Sequence, residues 1–573
     1  MNTNQNIKES ELRPTVEVHL PDGRILSGLR GSSAGDFLAA IADEYENRIV
    51  AVIVNNVLRE LSYPINMEAT LAPVTMESAD GARVYRRSLT FLLEYAFQQL
   101  FPDAKLTIDH SVSSGGYYCQ VEGREPLSAE ELWILHQRMQ AEVESDRPFS
   151  REETPLDEAV QYFKTLGQTD KVNLLKHRKK NYLTLYKLGE HKDYHHGYMV
   201  PSTGYLRWFD LQDWNGGFVL RFPRRHMPNE LLPMNTSTQL LETFQRYGKW
   251  LTRLGIENVG ALNNAIAEER GQEVVLVSEA LHEQYIADIA RQIAAKRDEL
   301  RLILISGPSS SGKTTFSRRL TVQLLALGIS PFPLEMDNYF VNRDQNPRDE
   351  HGEYDFETIE ALDLKRLAED LQKMTRGKRV QIPHYNFMTG QSEPGEEVQL
   401  HKGQLIILEG IHGMNPRLIP SDLQSQAFRI YISALTQLNL DRHNRVSTTD
   451  TRLLRRIVRD ARDRGYSARE TISRWESVRR GEKRHIYPYQ ENADVMFNSA
   501  LVYELSAIKL FAEPVLRQVP YGTPEYIEAK RLLAFLEWFL PLNADFVPDN
   551  SIAREFLGGS ALKTFKWWQG GRR

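Results

Sequence analysis

Cysteine is nearly missing from this chain: Cys119 is the only one in 573 residues. That excludes a disulfide framework and any cysteine-rich zinc site, and it suits a reducing compartment. Long apolar runs are missing too. None approaches the roughly 18 residues that a bilayer span needs, and the opening stretch, Met1 to Arg13, lacks the apolar core of a signal peptide. The expectation is a soluble, cytoplasmic protein without membrane contact. Nor is there a surplus of charge of one sign. Against 71 basic residues stand 76 acidic ones, so no global field draws the chain to nucleic acid. What is present is length, and 41% hydrophobic residues, enough to pack the three or four domains that such a length predicts.

The sharpest local pattern is Leu302-Ile-Leu-Ile-Ser-Gly-Pro-Ser-Ser-Ser-Gly-Lys-Thr-Thr315. Four apolar residues predict a buried strand of a parallel sheet. Gly307, Gly312, Lys313 and Thr314 then fit G-x-x-x-x-G-K-[ST]. Such a loop turns successive backbone N–H groups toward a phosphate chain, here from Ser309, Ser310, Ser311 and Gly312 on to Thr315. Lys313 is placed to reach the β/γ-phosphates and Thr314 to hold Mg²⁺. Phe316, Leu320, Leu324 and Leu327 follow at helical spacing, and Gly328 is placed to end that helix. Strand, loop and helix agree, so a nucleoside triphosphate is the expected ligand.

Before this motif the chain reads differently. Val16, Val18 and Leu20 alternate into Pro21-Asp22-Gly23, a hairpin signal. A helix-like run from Ala34 to Tyr45 and a strand from Ile49 to Val54 follow. VEVHLPDGRIL, VAVIVNNVLRELSYPI and ATLAPV together resemble a TGS domain, a small β-grasp module, over residues 15–76. Such modules occur in threonyl-tRNA synthetases and certain GTPases, which leaves RNA contact open beside a plain docking role. No interleaved aromatic and basic platform is visible here.

Residues 77–226 resemble the second N-terminal domain of threonyl-tRNA synthetase. RRSLTFLLEYAFQQLFPDAKLTI, GGYYCQV and DYHHGYMVPSTGYL carry the likeness. In the synthetase this fold has an HxxxH pair and a later Cys/His pair. Those positions map here to Arg87 and Phe91, then to His195 and Met199. An arginine and a phenylalanine cannot hold zinc or manage a proton, so the editing activity is expected to be absent. His195 and His196 are expected to be ordinary histidines, since adjacent side chains point apart. The run Lys176-His-Arg-Lys-Lys180 reads as a solvated face, with RNA contact as the alternative. Residues 227–298 look like a helical connector, with helices from Thr238 to Leu254 and from Ser278 to Arg301.

After the phosphate loop, Pro331 to Met336 predicts a strand that delivers Asp337 at its carboxyl end, where open α/β sheets place ligand groups. Asp337-Asn-Tyr-Phe340 resembles a motif of uridine kinases, in which this aspartate accepts the proton of a nucleoside 5′-hydroxyl. Phosphoryl transfer is chiefly positioning and charge neutralisation, and a carboxylate suits that task. The resemblance implies that Asp355, in Gly352-Glu-Tyr-Asp-Phe356, grips the ribose hydroxyls, a job for a group that accepts two hydrogen bonds. It also implies that Tyr385 and Phe387 are stacking walls for the base. The family's base-reading histidine falls near Gly390, and glycine cannot supply its hydrogen bond. Leu405-Ile-Ile-Leu-Glu409 is a strand ending in a second carboxylate suited to Mg²⁺. Phe428 to Ile432 and Asp494 to Phe497 read as further strands.

Between those strands lies an arginine-rich helix, Thr451 to Gly465, with Leu453, Leu454, Ile457 and Val458 as its apolar face. Arg456, Arg459 and Arg464 match lid arginines that clamp ATP phosphates, and guanidinium forks fit phosphoryl oxygens. Tyr466 replaces a further one. The segment 299–500 resembles the uridine kinase/phosphoribulokinase family. The fold class expected is therefore α/β, a P-loop domain with a parallel sheet, preceded by the β-grasp module and an α+β synthetase-like domain. Residues 501–573 form a C-terminal extension, helical to about Leu542 and mobile from Thr564. The resemblance implies ATP-dependent transfer to the 5′-hydroxyl of uridine or cytidine, with Asp337, Lys313 and Arg459 catalytic, in a homo-oligomer. A kinase for another ribosyl compound and an ATP-switched RNA-binding regulator remain open.

Overall fold

The computed structural model describes residues 11–112, 114–234, 238–350, 352, 354–401 and 403–565. The chain forms two compact units. One comprises residues 1–236, 439–445 and 520–528, the other 237–438, 446–519 and 529–573. Trp567 and Trp568, expected in a mobile tail, lie outside the described residues, as does Glu353.

In the first unit the alternating residues do form a hairpin, Thr15–His19 with Ile25–Leu29, and Gly23 takes the turn at φ +87°. Val16, Val18 and Leu20 face inward against Phe37, Leu38, Val52 and Leu71. Thr15–His19 pairs parallel with Ala69–Thr75, which pairs antiparallel with Ile49–Val54, giving a five-stranded mixed sheet. The helix expected to reach Tyr45 is shorter. It spans Ala34–Ala39 behind a capping box of Ser33 and Asp36, and a 3₁₀ turn at Ala42–Glu44 follows.

The helix Ala79–Leu100 carries the synthetase-like domain. It starts on Ser78, whose hydroxyl accepts from the Gly81 N–H. A Cβ at Gly81 would sit 2.0 Å from the Thr75 carbonyl oxygen, so only glycine lets the helix leave the sheet so closely. Leu89, Phe91, Leu92, Leu93 and Phe97 are all buried in the core this helix shares with Leu106, Ile108, Cys119 and Leu220. A four-stranded sheet, Asp210–Trp214, Gly217–Arg221, Gly116–Glu122 and Lys105–Val112 in that order, and a three-stranded one complete the α+β domain. Residues 439–445 join this unit: the Ile108 N–H donates to the Arg442 carbonyl at 2.8 Å.

The second unit is built on a parallel sheet of β1 (Leu302–Ser306), β2 (Phe332–Glu335), β3 (Ile406–Glu409), β4 (Ala427–Ser433) and β5 (Val495–Asn498), in the order β2-β3-β1-β4-β5. All five residues of β1 are buried, as a central parallel strand demands. Burying each large aliphatic side chain there contributes roughly 1.5–3 kcal/mol. Register fixes the site: Glu335 on β2 pairs with Glu409 on β3, and Ile305 on β1 pairs with the same Glu409. The carboxyl ends of three strands therefore coincide. Among the described residues the connector has three helices, Thr238–Leu254, Val259–Ala267 and Gly271–Ala295, so its last helix begins earlier and stops sooner than its apolar spacing predicts. The described part of the extension, 501–565, holds helices Glu504–Leu516 and Pro524–Leu536, with Tyr521-Gly522 between them, and a short one at Arg554–Leu557.

Candidate functional site

The phosphate loop is braced from behind by arginines. Ser310 stands at φ +58° and Gly312 at φ +85°. At Gly307 a Cβ would meet the Ile432 carbonyl oxygen at 2.0 Å. The lid helix, Thr448–Asp463, supplies Arg452 and Arg455, both fully buried. Arg452 Nε donates to the Ser309 carbonyl at 2.9 Å and Arg455 Nη1 to the Ser310 carbonyl at 3.3 Å. Their charges are answered by Glu482 and Glu504. These two arginines shape the loop rather than await a ligand.

The three arginines expected to clamp phosphates lie differently. Arg456 donates to the Ser309 hydroxyl at 3.0 Å, and Arg456, Arg459 and Arg464 all pair with Asp460, at 3.3, 3.0 and 3.4 Å. One buried carboxylate thus holds three guanidinium groups as a set. Tyr466 lies under the Arg474 guanidinium, 4.4 Å from its ring centre.

The loop residues themselves are partly engaged. Lys313 opens the P-loop helix (Lys313–Ala326) and its Nζ donates to the Pro308 carbonyl at 3.2 Å. The Ser309 N–H donates to Glu482 at 3.0 Å and the Ser311 N–H to the Pro308 carbonyl at 3.3 Å. The buried hydroxyls of Ser310 and Ser311 have no hydrogen-bond partner. Thr314 Oγ1 donates to Glu409 at 3.3 Å, while Thr315 is bonded to Glu555.

Asp337 follows β2 in a 3₁₀ turn, Met336–Tyr339. Its tip is open to solvent, yet protein surrounds it closely enough for desolvation to raise its carboxyl above the ordinary range, with Lys313 and Arg464 pulling it back. Access to water moderates that rise. Glu409 is pushed up to about 7 by burial, against the pull of Lys313 and with the repulsion of Asp337, Glu335 and Glu555. A carboxylate cluster with too little cation to balance it suits a divalent ion. Thr314, in the first turn of the P-loop helix, and Glu409, at the end of β3, supply the oxygens that would hold Mg²⁺.

Sequence reasoning missed Glu357. Burial and the nearby Glu482 push its carboxyl up to about 7, and its Oε2 is buried without a hydrogen-bond partner. Lys313, Arg456 and Asp355 are all within its electrostatic reach. On the helix Ala468–His485 a Cβ at Gly481 would lie 2.3 Å from the Glu357 Cβ, which leaves room there only for glycine. The composition of a loop gives no hint of such an environment.

The acceptor side is formed by the hairpin Arg379–Asn386 with Gln391–Gln399. Asp355 lies 3.5 Å from His485 and accepts the Glu357 N–H at 3.0 Å, and His485 chiefly holds its carboxyl below the ordinary value. Phe387 is 59% exposed, but Tyr385 is only 2% exposed. Tyr385 is therefore a correction. It packs into the sheet core against Phe340, ring centres 5.4 Å apart, and supports Phe387 edge-on at 5.0 Å instead of forming an open wall. Phe356, 37% exposed, is the second accessible ring. Gly390 turns at φ +72°, and a Cβ there would lie 2.7 Å from Arg343 Nε. Arg343 fills that space and donates to the Phe387 carbonyl at 2.7 Å.

The synthetase-like unit holds a second cluster that its sequence concealed. Phe91 and Met199 are buried, and Arg87 Nη1 donates to the Tyr198 carbonyl at 2.5 Å, so three of the four mapped positions carry no metal ligand. His195, expected to be an ordinary surface or core histidine, is a buried one and lies 3.1 Å from Glu94. Glu94, Asp193 and His443 bring one potential ligand atom each within 4.8 Å of one another. Lys171 sits in that group, its ammonium bonded to both oxygens of Asp193 and 3.1 Å from His443 Nδ1. Burial opposes the charge on all of them, but Lys171 and the histidines hold Glu94 and Asp193 below the ordinary carboxylate range. The position a cation would take belongs to a side chain.

Known proteins resemble the two halves separately. Over 204 residues the chain is 33% identical to a threonine–tRNA ligase of Acidovorax sp. (strain JS42), and over 202 residues 33% identical to one of Laribacter hongkongensis. Each match covers 35% of this chain and 32% of the ligase, so the chain spans about a third of the length of those relatives. A solved structure described as a possible uridine kinase from Bacillus stearothermophilus covers 37% of this chain and 97% of its own, at 20% identity and a TM-score of 0.26. The Phosphoribulokinase / Uridine kinase family model matches residues 302–506. Those residues build the cleft between the phosphate loop, Asp337 and Glu409, so the part of the chain that matches this family model is the part that carries the candidate site.

Proposed function

We propose that the second unit is an ATP-dependent phosphotransferase that moves the γ-phosphoryl group to the 5′-hydroxyl of a nucleoside, uridine or cytidine first. The observation that carries this reading is the convergence of Lys313, Thr314, Glu409 and Asp337 at the ends of three adjacent strands. In a nucleotide-switched regulator no carboxylate is needed beside an acceptor hydroxyl.

In the reaction so read, the acceptor oxygen attacks the γ-phosphorus as the bond to the bridging oxygen of ADP breaks. The hydroxyl proton passes to Asp337, whose raised carboxyl is better matched to it than an ordinary aspartate. Lys313 neutralises charge on the transferring group. Arg456, Arg459 and Arg464, held as a set by Asp460, add guanidinium donors along the phosphate chain. Mg²⁺, when bound, supplies further neutralisation of the β/γ oxygens. Asp355 orients the ribose diol and Phe387 covers the base.

A kinase for another ribosyl compound is the second reading, favoured by Arg343 in the space beside Gly390. For the first unit, RNA contact through the exposed Lys176 and Lys179 is the corresponding proposal. The test is a panel of nucleosides and ribosyl compounds incubated with Mg²⁺ and ATP, scored for ADP and for the phosphorylated acceptor. Formation of nucleoside monophosphate supports the first reading. ADP without a phosphorylated acceptor overturns it.

A further inference from the structure

An anion already sits on the P-loop helix. Glu555 Oε2 accepts both the backbone N–H of Thr315, at 3.2 Å, and its hydroxyl, at 2.8 Å. The N–H groups of a helix's first turn have no acceptor within the helix, and after a phosphate loop they are the donors a nucleotide's phosphates use. Thr315 lies in that turn. A carboxylate oxygen and a phosphate oxygen cannot take the same N–H together.

Glu555 is not a side chain that wandered there. It belongs to a short helix, Arg554–Leu557, beyond residue 506, where the family likeness ends. Ile552 covers Gly312, where a Cβ would lie 2.5 Å from its Cγ2. The Phe556 ring is buried 4.8 Å below the Arg455 guanidinium. Arg462 of the lid helix donates to the carbonyls of Glu555 and Phe556, at 2.8 and 2.5 Å, and Arg318 of the P-loop helix donates to the Leu562 carbonyl at 3.0 Å. The segment is thus docked on both the loop and the lid. Its carboxylate also adds repulsion to a cleft already rich in carboxylates, within reach of Glu409.

We propose that Glu555 is a built-in competitor for nucleotide: the segment Asp549–Leu562 docks on the phosphate loop, and phosphates bind only as Glu555 leaves Thr315. This rests on the reading of the loop as a nucleotide site. Arg462 couples the segment to the lid helix, so release of Glu555 and movement of the lid are one event.

The affinity of the full chain for Mg²⁺–ATP, measured by calorimetry, tests it against Glu555→Ala, Glu555→Gln and Lys313→Ala. Removing the competitor should tighten binding by about 10- to 100-fold in Glu555→Ala, the span of one or two charge-assisted hydrogen bonds. Glu555→Gln, which keeps an acceptor oxygen without the charge, should fall between it and wild type. In the wild type, amide hydrogen exchange over 549–562 should speed up with saturating Mg²⁺–ATP and not with Mg²⁺ alone, a readout that stands even where a variant fails to fold. Equal or weaker binding by Glu555→Ala, with binding lost in Lys313→Ala, overturns the proposal and leaves the nucleotide site standing. Binding in none of the four proteins overturns both.

Discussion

Each unit of this protein contains a cluster of carboxylates, one sealed and one open to a cleft, and the two clusters are balanced in opposite ways. In the first unit Glu94 and Asp193 have their cations built in, Lys171 and His443, and their carboxyls are held below the ordinary range. In the second, Glu409 and Glu357 are pushed up to about 7 because burial and neighbouring carboxylates outweigh Lys313. Both groups have metal-like composition. A sealed cluster with its charge compensated from within is a structural device, and an open one with a deficit of cation is a place for a ligand.

The largest effect should come from breaking the compensation. Lys171→Met leaves Asp193 and Glu94 buried without their ammonium, and removing one partner of a buried pair costs about 3–5 kcal/mol. Chemical unfolding followed in the first unit measures it. The double variant with Asp193→Asn should recover much of the loss, because the orphaned charge goes with its partner. A Lys171→Met protein as stable as wild type would mean that the cluster draws its balance from somewhere else. Nucleotide binding in the second unit should not change.

Next comes the open cluster. Asp337→Asn removes the carboxylate that takes the acceptor proton, and turnover should fall on the order of 10²-fold or more with ATP affinity close to that of wild type. Single-turnover rates and nucleotide affinity, measured side by side, separate the two. Near-normal turnover would move the base to Glu357, another carboxylate within reach of Lys313. Asp355→Ala should have a smaller effect, a loss of about tenfold or more in kcat/KM for ribonucleosides with little for the 2′-deoxy forms. If the ratio of ribo- to deoxyribonucleoside use stays as in wild type, Asp355 does not bind the diol.

The comparison also shows why one cluster was legible in the sequence and the other was not. Gly307 to Thr315, Asp337 and Glu409 are each announced by a few consecutive residues, because a parallel sheet collects strand ends at one edge without further instruction. The hairpin at Val16 to Gly23 and the apolar face of the lid helix are equally local. The sealed cluster draws Glu94, Lys171, Asp193 and His443 from four segments, and His443 lies in a heptapeptide that returns to the first unit from the middle of the second. No spacing rule spans such a separation. Within the lid, Arg452 and Arg455 look no different from Arg456 and Arg459 in sequence. Only packing against the phosphate loop divides braces from candidate clamps. Tyr385 failed for a related reason: strand alternation marks a residue as facing one side, but not whether that side is core or cleft.

The smallest effect, and the one that sharpens the comparison most, is the sign of the pH dependence. Glu94 has a folded value lowered from 4.5 to about 2, so the stability it contributes is present above 4.5 and is lost as pH falls through 2. His443, raised by Glu94 and Asp193 against burial, contributes below its ordinary 6.5 and loses that contribution as pH rises through its folded value. Glu409 is raised from 4.5 to about 7, so the folded state is favoured by its protonated form: the contribution is full below 4.5 and is lost as pH climbs through 7. Glu357 acts in the same direction. Because the cleft admits water, the loss between about pH 5 and about pH 8 should be on the order of 1–2 kcal/mol, well below what a sealed pair of such groups would give. Amide exchange of the strand Ile406–Glu409 reads it locally. Mg²⁺ should flatten that dependence, since an ion on Glu409 holds the carboxylate charged at either pH, and it should leave the first unit unaffected. A slope that Mg²⁺ fails to change in the second unit would mean that the carboxylates at the strand ends are balanced within the protein and await no cation.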